Sequence, residues 1–343
     1  MRYLITGGAG FIGSHLSEHL LKAGDSVVVL DKLSTGRFDN IRHLVGQPKF
    51  SYFVGPVEDT GLLAEAARDC DAIFHLAAAV GVELIVRDPV GTIETNINGT
   101  EAVLRFAVRY GKRVLVTSSS EVYGKTARLP FREDDDVTYG ATSRPRWAYA
   151  ISKAVDEFLV RAYAESKGLP GIAVRLFNTV GPRQVGHYGM VIPRFVDQAL
   201  RGGPITVYGD GRQTRCFAHV ADIVAALRDL ICLPELNGEI VNLGSNERVT
   251  IRNLAERVRN RVDPQVEIQH VPYEAVFGAS FEDMQDREPD LSRAAELIGY
   301  APRYDLARIL TDVIGERRKY VCDQPVAHAS ELTTTSRRAR GSR

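Results

Sequence analysis

Tyr149 and Lys153 stand four residues apart in Trp147-Ala148-Tyr149-Ala150-Ile151-Ser152-Lys153, at the start of a stretch with helical periodicity that runs through Arg161. On a helix that spacing puts both side chains on one face. An ammonium beside a phenol favours the phenolate and lowers a pKa of about 10 toward neutrality. Such a phenolate can take the proton of a substrate hydroxyl while hydride leaves the same carbon. Alone the pair is weak, since Tyr-x-x-x-Lys also describes a solvated helix face. A second pattern strengthens it. Thr6-Gly7-Gly8-Ala9-Gly10-Phe11-Ile12-Gly13 comes directly after a short β-rich run and opens a helical stretch. Gly7 suits a tight turn, Gly10 lets backbone approach a pyrophosphate, and Gly13 lets the helix pack closely on the strand. Helix N-terminal amides, those of Phe11 and Ile12 included, would face the phosphates. Asp31 ends a second β-rich run eighteen residues after Gly13, placed to accept ribose hydroxyls. A carboxylate there repels a 2′-phosphate, so the expected cofactor is NAD, although the adjacent Lys32 tempers that inference. Ser34, Thr35 and Gly36 stand in the same loop and are assigned to the cofactor with them.

The elements that must position these groups are legible as alternation. Tyr3-Leu4-Ile5, Val27-Val28-Val29-Leu30, Ala72-Ile73-Phe74-His75-Leu76, Arg113-Val114-Leu115-Val116 and Ile172-Ala173-Val174-Arg175-Leu176 are near-continuous apolar strands separated by helical stretches. That pattern predicts an α/β fold, a doubly wound parallel sheet with a smaller C-terminal lobe. The expected division is a cofactor domain over 1–180 and a substrate lobe over 181–322 that partly returns to the sheet. Residues 323–343, rich in Thr, Ser, Ala and Arg, are expected to be a disordered tail. The chain of 343 residues carries 43 basic and 43 acidic side chains, with the basic ones scattered, which argues against nucleic acid as a partner. The tail holds four arginines against Asp323 and Glu331, so the rest of the chain is at −2 and must bind phosphates through local devices. No apolar run approaches a membrane span, and the start runs straight into the glycine loop with no room for a leader. Cys70, Cys216, Cys232 and Cys322 lie far apart, which fits a reducing cytoplasm and no metal site.

Further motifs stand in a fixed order: His75-Leu76-Ala77-Ala78, Asn96-Ile97-Asn98-Gly99-Thr100, Ser118-Ser119-Ser120-Glu121-Val122-Tyr123-Gly124, Arg175-Leu176-Phe177-Asn178 with Gly181-Pro182-Arg183, Val207-Tyr208-Gly209-Asp210-Gly211, Gln213-Thr214-Arg215 and Arg287-Glu288-Pro289-Asp290. With the glycine loop and the Tyr149/Lys153 pair, they make the chain resemble the extended short-chain dehydrogenase/reductase family, the nucleotide-sugar epimerases, dehydratases and decarboxylases, to about Arg317. The resemblance implies that Ser119 shares the substrate hydroxyl with Tyr149. It implies NAD contacts at Leu76, Ala77, Ala78, Asn96, Thr117 and Val180. Asn178 and the backbone of Thr206, Val207 and Tyr208 would hold the nucleotide, with Val191, Arg194 and Gln213 nearby and Arg215 and Arg287 on the diphosphate. The family usually has an Asp after the third strand for adenine. Here Gly55-Pro56-Val57 stands at that place, which leaves Val57 backbone or a neighbour to hold the base.

In this family C4 of the sugar is oxidised first, and the groups after Ser119 decide the fate of the ketone. The 4,6-dehydratases carry an Asp where this chain has Ser120, so water elimination lacks its acid. The 4-epimerases usually lack an acid at the Glu121 position. Ser-Ser-Glu-Val-Tyr-Gly, Arg146 to Lys153 and Arg215-Cys216-Phe217 are similar to the glucuronate decarboxylases. That implies loss of carbon dioxide from a 4-keto glucuronate, with Ser120 and Glu121 orienting the region and helping deliver a proton to C5, and Arg215 reaching the sugar. The ketone would then be reduced to a xylose or released. Val80-Gly81-Val82-Glu83-Leu84-Ile85 is closer to some epimerases and keeps 4-epimerisation as the alternative, ahead of a dehydratase or an inactive NAD-sensing scaffold. A UDP-sugar is the implied substrate, with a dTDP-sugar open, and a cytoplasmic homodimer through helices near 92–110 and 148–165 is the implied assembly.

Overall fold

The computed structural model describes residues 1–81, 88–186, 190–277, 284 and 286–322. The expected tail at 323–343, and most of the loop that bears on epimerisation, lie outside the described residues. Seven strands form one parallel sheet: β1 (Arg2–Thr6), β2 (Ser26–Asp31), β3 (Phe50–Val54), β4 (Ala72–His75), β5 (Arg113–Ser119), β6 (Gly171–Leu176) and β7 (Asn237–Leu243), in the spatial order 7-6-5-4-1-2-3. This is the expected doubly wound α/β architecture. Ile5 lies opposite Val29 on one side and Phe74 on the other, so the central strands are buried on both faces. The order reverses between β1 and β4, and a crevice opens at the carboxyl ends of the strands there.

Two layers of helices cover the sheet. On one face α1 (Phe11–Lys22) lies beside a helix over Val220–Ile231, burying Leu16, Leu20, Ile223 and Leu227. On the other face α2 (Thr60–Ala67), α3 (Pro89–Tyr110) and α4 (Trp147–Lys167) bury Leu63, Val103, Leu104 and Val160. The Val220–Ile231 helix and β7 come late in the chain yet belong to the large sheet and its cover. A separate core of Ile192, Phe195, Leu254, Val258 and Leu310 holds helices Val191–Leu200, Ile251–Val262 and Leu306–Cys322 together. Three two-stranded ribbons accompany it; Ile205–Tyr208, for instance, pairs with Ile268–Val271. No described helix is long and apolar enough to cross a membrane.

Candidate active site

A cavity of about 710 Å³ runs from the crevice between β1 and β4 into the smaller lobe. The glycine loop forms its first wall. Gly7 has φ of +72° and its N–H donates to Leu30 O at 2.9 Å. A Cβ at Gly7 would come within 2.7 Å of Ala77 N, and one at Gly13 within 2.3 Å of Gly7 O. Neither position can carry a side chain, and the backbone is left bare where a pyrophosphate would approach. Gly10 caps α1 with no side-chain hydrogen bond, so the first-turn amides of Phe11, Ile12 and Gly13 keep their N–H groups for an anion. Asp31 accepts from Ala9 N at 2.9 Å and Leu33 N at 2.8 Å, and burial raises its carboxyl above the usual range. Asn40 and Arg37 both donate to Ala9 O, which ties the loop after β2 to the glycine turn. Lys32, Ser34, Thr35, Gly36, Val57, Leu76, Ala77, Ala78, Thr117 and Val180 also line the cavity. Gly55, Val57 and Glu58 close its adenine end. The residues present therefore fit a dinucleotide.

Tyr149, Lys153, Ser119, Ser120 and Glu121 meet at the middle of the cavity, where the end of β5 faces the first turns of α4. Ser119 stands beside Tyr149 and favours its ionisation, and the Ser119 Oγ accepts from Glu121 N at 3.2 Å. Lys153 has a buried partner that the Tyr-x-x-x-Lys spacing does not show. Its Nζ lies 2.7 Å from Asp156 Oδ2, both side chains being almost fully buried. Burial pushes the Tyr149 phenol well above its ordinary value; Ser119 and Arg287 favour ionisation, while Glu121 and Asp156 oppose it. A lysine ammonium held by its own carboxylate does not by itself produce a phenolate. His75, beneath the site, is pushed down to about 3 by burial and by Lys153, so it is neutral.

Glu121 is gripped from two sides. Arg287 Nη2 lies 2.7 Å from its Oε1, and Arg146 Nη2 lies 3.2 Å from its Oε2. Both guanidiniums are nearly buried and both line the cavity. Sequence reasoning noted Arg146 only within a motif; its place came from the turn into α4, where it is the N-cap residue. Farther out, Asn178 donates to Cys216 O at 3.3 Å, and Arg215, Val191, Gln213 and Tyr208 line the wall. Arg194 stacks over the Tyr208 ring at 4.0 Å, and Gln213 Nε2 donates to Tyr273 OH at 2.8 Å. This rim of aromatic rings, amide and guanidinium suits a nucleobase and its phosphates.

Three expected contacts fall outside the cavity. Asn96 is fully buried; its Oδ1 accepts from Ala79 N at 2.8 Å and its Nδ2 donates to Ser152 at 3.0 Å, so it braces the wall rather than lining it. The Thr206 amide is taken by Gln198 Oε1 at 3.0 Å, and Val207 points into the core of the smaller lobe. Strand alternation puts Thr206 and Tyr208 on the face opposite Val207, and of the two only Tyr208 lines the cavity.

Comparison with known proteins agrees with this geometry. Residues 3–244 match the NAD dependent epimerase/dehydratase family. The chain is similar to the UDP-N-acetyl-alpha-D-glucosaminuronate decarboxylase of Bacillus cytotoxicus, 41% identical over 91% of this chain and 96% of that protein. It is likewise similar to UDP-glucuronic acid decarboxylase 2 of Arabidopsis thaliana, 37% identical over 98% of this chain and 72% of that one. Among solved structures, a UDP-glucuronic acid 4-epimerase from Bacillus cereus, in complex with UDP-glucuronic acid and NAD, superposes with a TM-score of 0.84 at 26% identity, covering 93% of this chain and 100% of that one. A dinucleotide-shaped glycine loop, the serine, tyrosine and lysine of an alcohol-oxidising centre, and a match over more than two thirds of the sequence lead to one conclusion: the chain belongs to the NAD-dependent epimerase/dehydratase family.

Proposed function

We propose that the protein is an NAD-dependent decarboxylase of a UDP-linked hexuronic acid, UDP-glucuronate. The observation that carries this reading is Glu121 held between Arg146 and Arg287 beside Tyr149. Two nearly buried guanidiniums lining the cavity at that point attract a sugar carboxylate, and a neutral sugar offers them no such partner. Glucuronate decarboxylases at 37% identity supply the same substrate independently. Tyr149 takes the proton of the C4 hydroxyl, with Ser119 sharing that hydroxyl. NAD, when bound, supplies the reversible hydride exchange at C4. The product of oxidation is a β-keto acid. Its C5–C6 bond breaks, carbon dioxide leaves, and the bonding pair moves into the C4 oxygen, where Tyr149 and Ser119 hold the developing charge. A proton then enters at C5 from the Glu121 side. Reduction at C4 gives UDP-xylose, and escape before reduction gives the 4-keto pentose.

The Bacillus cytotoxicus relative supports a second substrate with the same chemistry, the C2-acetamido counterpart. The test is mass spectrometry of purified protein incubated with NAD and, separately, each of the two UDP-hexuronates. Loss of the mass of carbon dioxide from either supports decarboxylation, and the faster substrate is the assigned one. An isomer of unchanged mass would make the protein a 4-epimerase, and no turnover of either would leave a scaffold. We also place the protein in the cytoplasm as a homodimer. The free thiols Cys70, Cys216 and Cys232 suit a reducing compartment. Adjacent helices α3 and α4 expose Val90, Ile93, Tyr110 and Phe158, apolar surface that suits a second copy.

A further inference from the structure

We propose that Asp156 is a positioning residue for the reaction: it anchors the Lys153 ammonium and offsets its charge beside Tyr149. This rests on Tyr149 being the proton acceptor of the proposed reaction. Tyr149, Lys153 and Asp156 succeed one another at four and three residues along α4 and so share a face. Asp156 has no exposed surface, and a lone carboxylate in that layer would be costly. It is instead 2.7 Å from Lys153 Nζ, its Oδ1 is buried with no hydrogen-bond partner among the described residues, and Thr100 of α3 lies beside it. Thr100 Oγ1 in turn lies 3.2 Å from His75 Nε2, and His75 Nδ1 lies 2.7 Å from Thr6 Oγ1. Thr6 Oγ1 accepts from Ala77 N at 3.3 Å, on the cofactor wall. Beneath the site, then, lie a hydrogen-bonded chain from Ala77 N through Thr6 and His75 to Thr100 and, beside it, the buried Lys153–Asp156 pair.

The arrangement does two things. The ammonium spends one of its three protons on Asp156 and is held in one place, with the others left to point into the cavity. Its charge is offset by the adjoining carboxylate, so the pair sets how readily Tyr149 ionises to become the proton acceptor. The other charged groups facing this point are Glu121 from the turn after β5, Arg287 from the 286–290 strap and Arg146 at the start of α4, with His75 neutral below. All of them remain when Asp156 alone is changed.

The experiment uses full-length protein loaded with NAD, as Asp156→Asn and as Asp156→Ser. The serine leaves room for water beside the ammonium and guards against a misfolded asparagine variant. The acidic limb of the kcat–pH profile is expected to move to lower pH by about one unit or more, because an uncancelled lysine favours the phenolate. Asp156→Glu, which keeps the charge, is expected to return the limb to its original position. A limb that stays put in a folded, NAD-binding Asp156→Asn or Asp156→Ser protein overturns the proposal, as does an equal shift in Asp156→Glu. A second readout needs no substrate. Titration of 13C-labelled tyrosines by NMR, with Tyr149 assigned through Tyr149→Phe, should show the same downward shift. That shift in a protein that turns over neither hexuronate keeps the role of Asp156 and discards the proposed function; its absence discards Asp156 alone.

Discussion

Glu121 and its two arginines set the local electrostatics more than any other group in the cavity. Each guanidinium is almost removed from water, so each needs an anionic partner at all times. Glu121 serves both, and a substrate carboxylate entering beside it would meet the same two guanidiniums. Arg146→Met should therefore raise KM for the UDP-hexuronate by about ten-fold or more, because truncating one partner of a buried charge pair costs on the order of 2 kcal/mol or more. NAD affinity, measured by titration calorimetry, should stay unchanged, since Arg146 is remote from the glycine loop. Equal weakening of both ligands would show a general structural defect instead. Legibility at this scale was uneven. Gly7, Gly13, Asp31 and Tyr149 could be picked out because backbone geometry and chemistry restrict which residue types serve, and Ser119 and Glu121 through the family resemblance. Arg146 and Asp156 could not, because an arginine or aspartate becomes a site residue only through the helix turn and the buried neighbour that it meets. The surroundings of the lysine were hidden for the same reason: a spacing shows which face it shares, and not that Asp156 on the same face is its partner.

At the scale of elements, the alternation of apolar strands with helices was enough to read the parallel sheet, because strands buried on both faces must be apolar throughout. The exceptions are the edges. β3 at one edge is half exposed along its length, and β7 at the other has Asn237, Gly238 and Glu239 in its first half. Edge strands need only one good face, and their pattern weakens accordingly. The helices α3 and α4 present the reverse case. Their inward faces fill the core against β4, β5 and β6, yet Phe158 of α4 is 74% exposed and Val90 of α3 is 63% exposed. An isolated surface phenylalanine needs no explanation, but one accompanied by Val90, Ile93 and Tyr110 on the neighbouring helix makes an interface the economical account. Phe158→Asp should convert the dimer into a monomer in size-exclusion chromatography with light scattering, with the circular dichroism spectrum unchanged. A wild-type protein that runs as a monomer, or a Phe158→Asp protein that remains dimeric, would remove this face from consideration.

The whole molecule has to keep the smaller lobe seated on the glycine loop, because neither lobe alone closes the cavity. Much of that seating is concentrated at His15, which projects from α1 one turn beyond the cofactor loop. Its Nε2 lies 2.9 Å from Pro182 O, and its Nδ1 lies 2.8 Å from Arg183 Nη2. Arg183 also reaches Glu18 at 2.8 Å and Asn40 O at 3.2 Å, while its backbone N–H donates to Glu316 on the last helix. The arginine contact needs a bare Nδ1 and the carbonyl needs a protonated Nε2, so the ring must be neutral. Burial and Arg183 accordingly push His15 down to about 4 from an ordinary 6.5. Between those two values the unfolded chain binds a proton that the folded chain refuses, so stability falls as pH drops through that window and levels off for this group below it. Between pH 7 and pH 5 the loss from His15 should be on the order of 2 kcal/mol. A glutamine can donate to Pro182 O and accept from Arg183 without titrating. Urea unfolding of His15→Gln should thus lose about 2 kcal/mol less stability than the wild type over that interval. His75, also held neutral by burial, is common to both proteins and cancels in the comparison. If the two proteins lose the same stability, the seating of the lobes does not run through a neutral His15, and the acid sensitivity belongs to some other buried group.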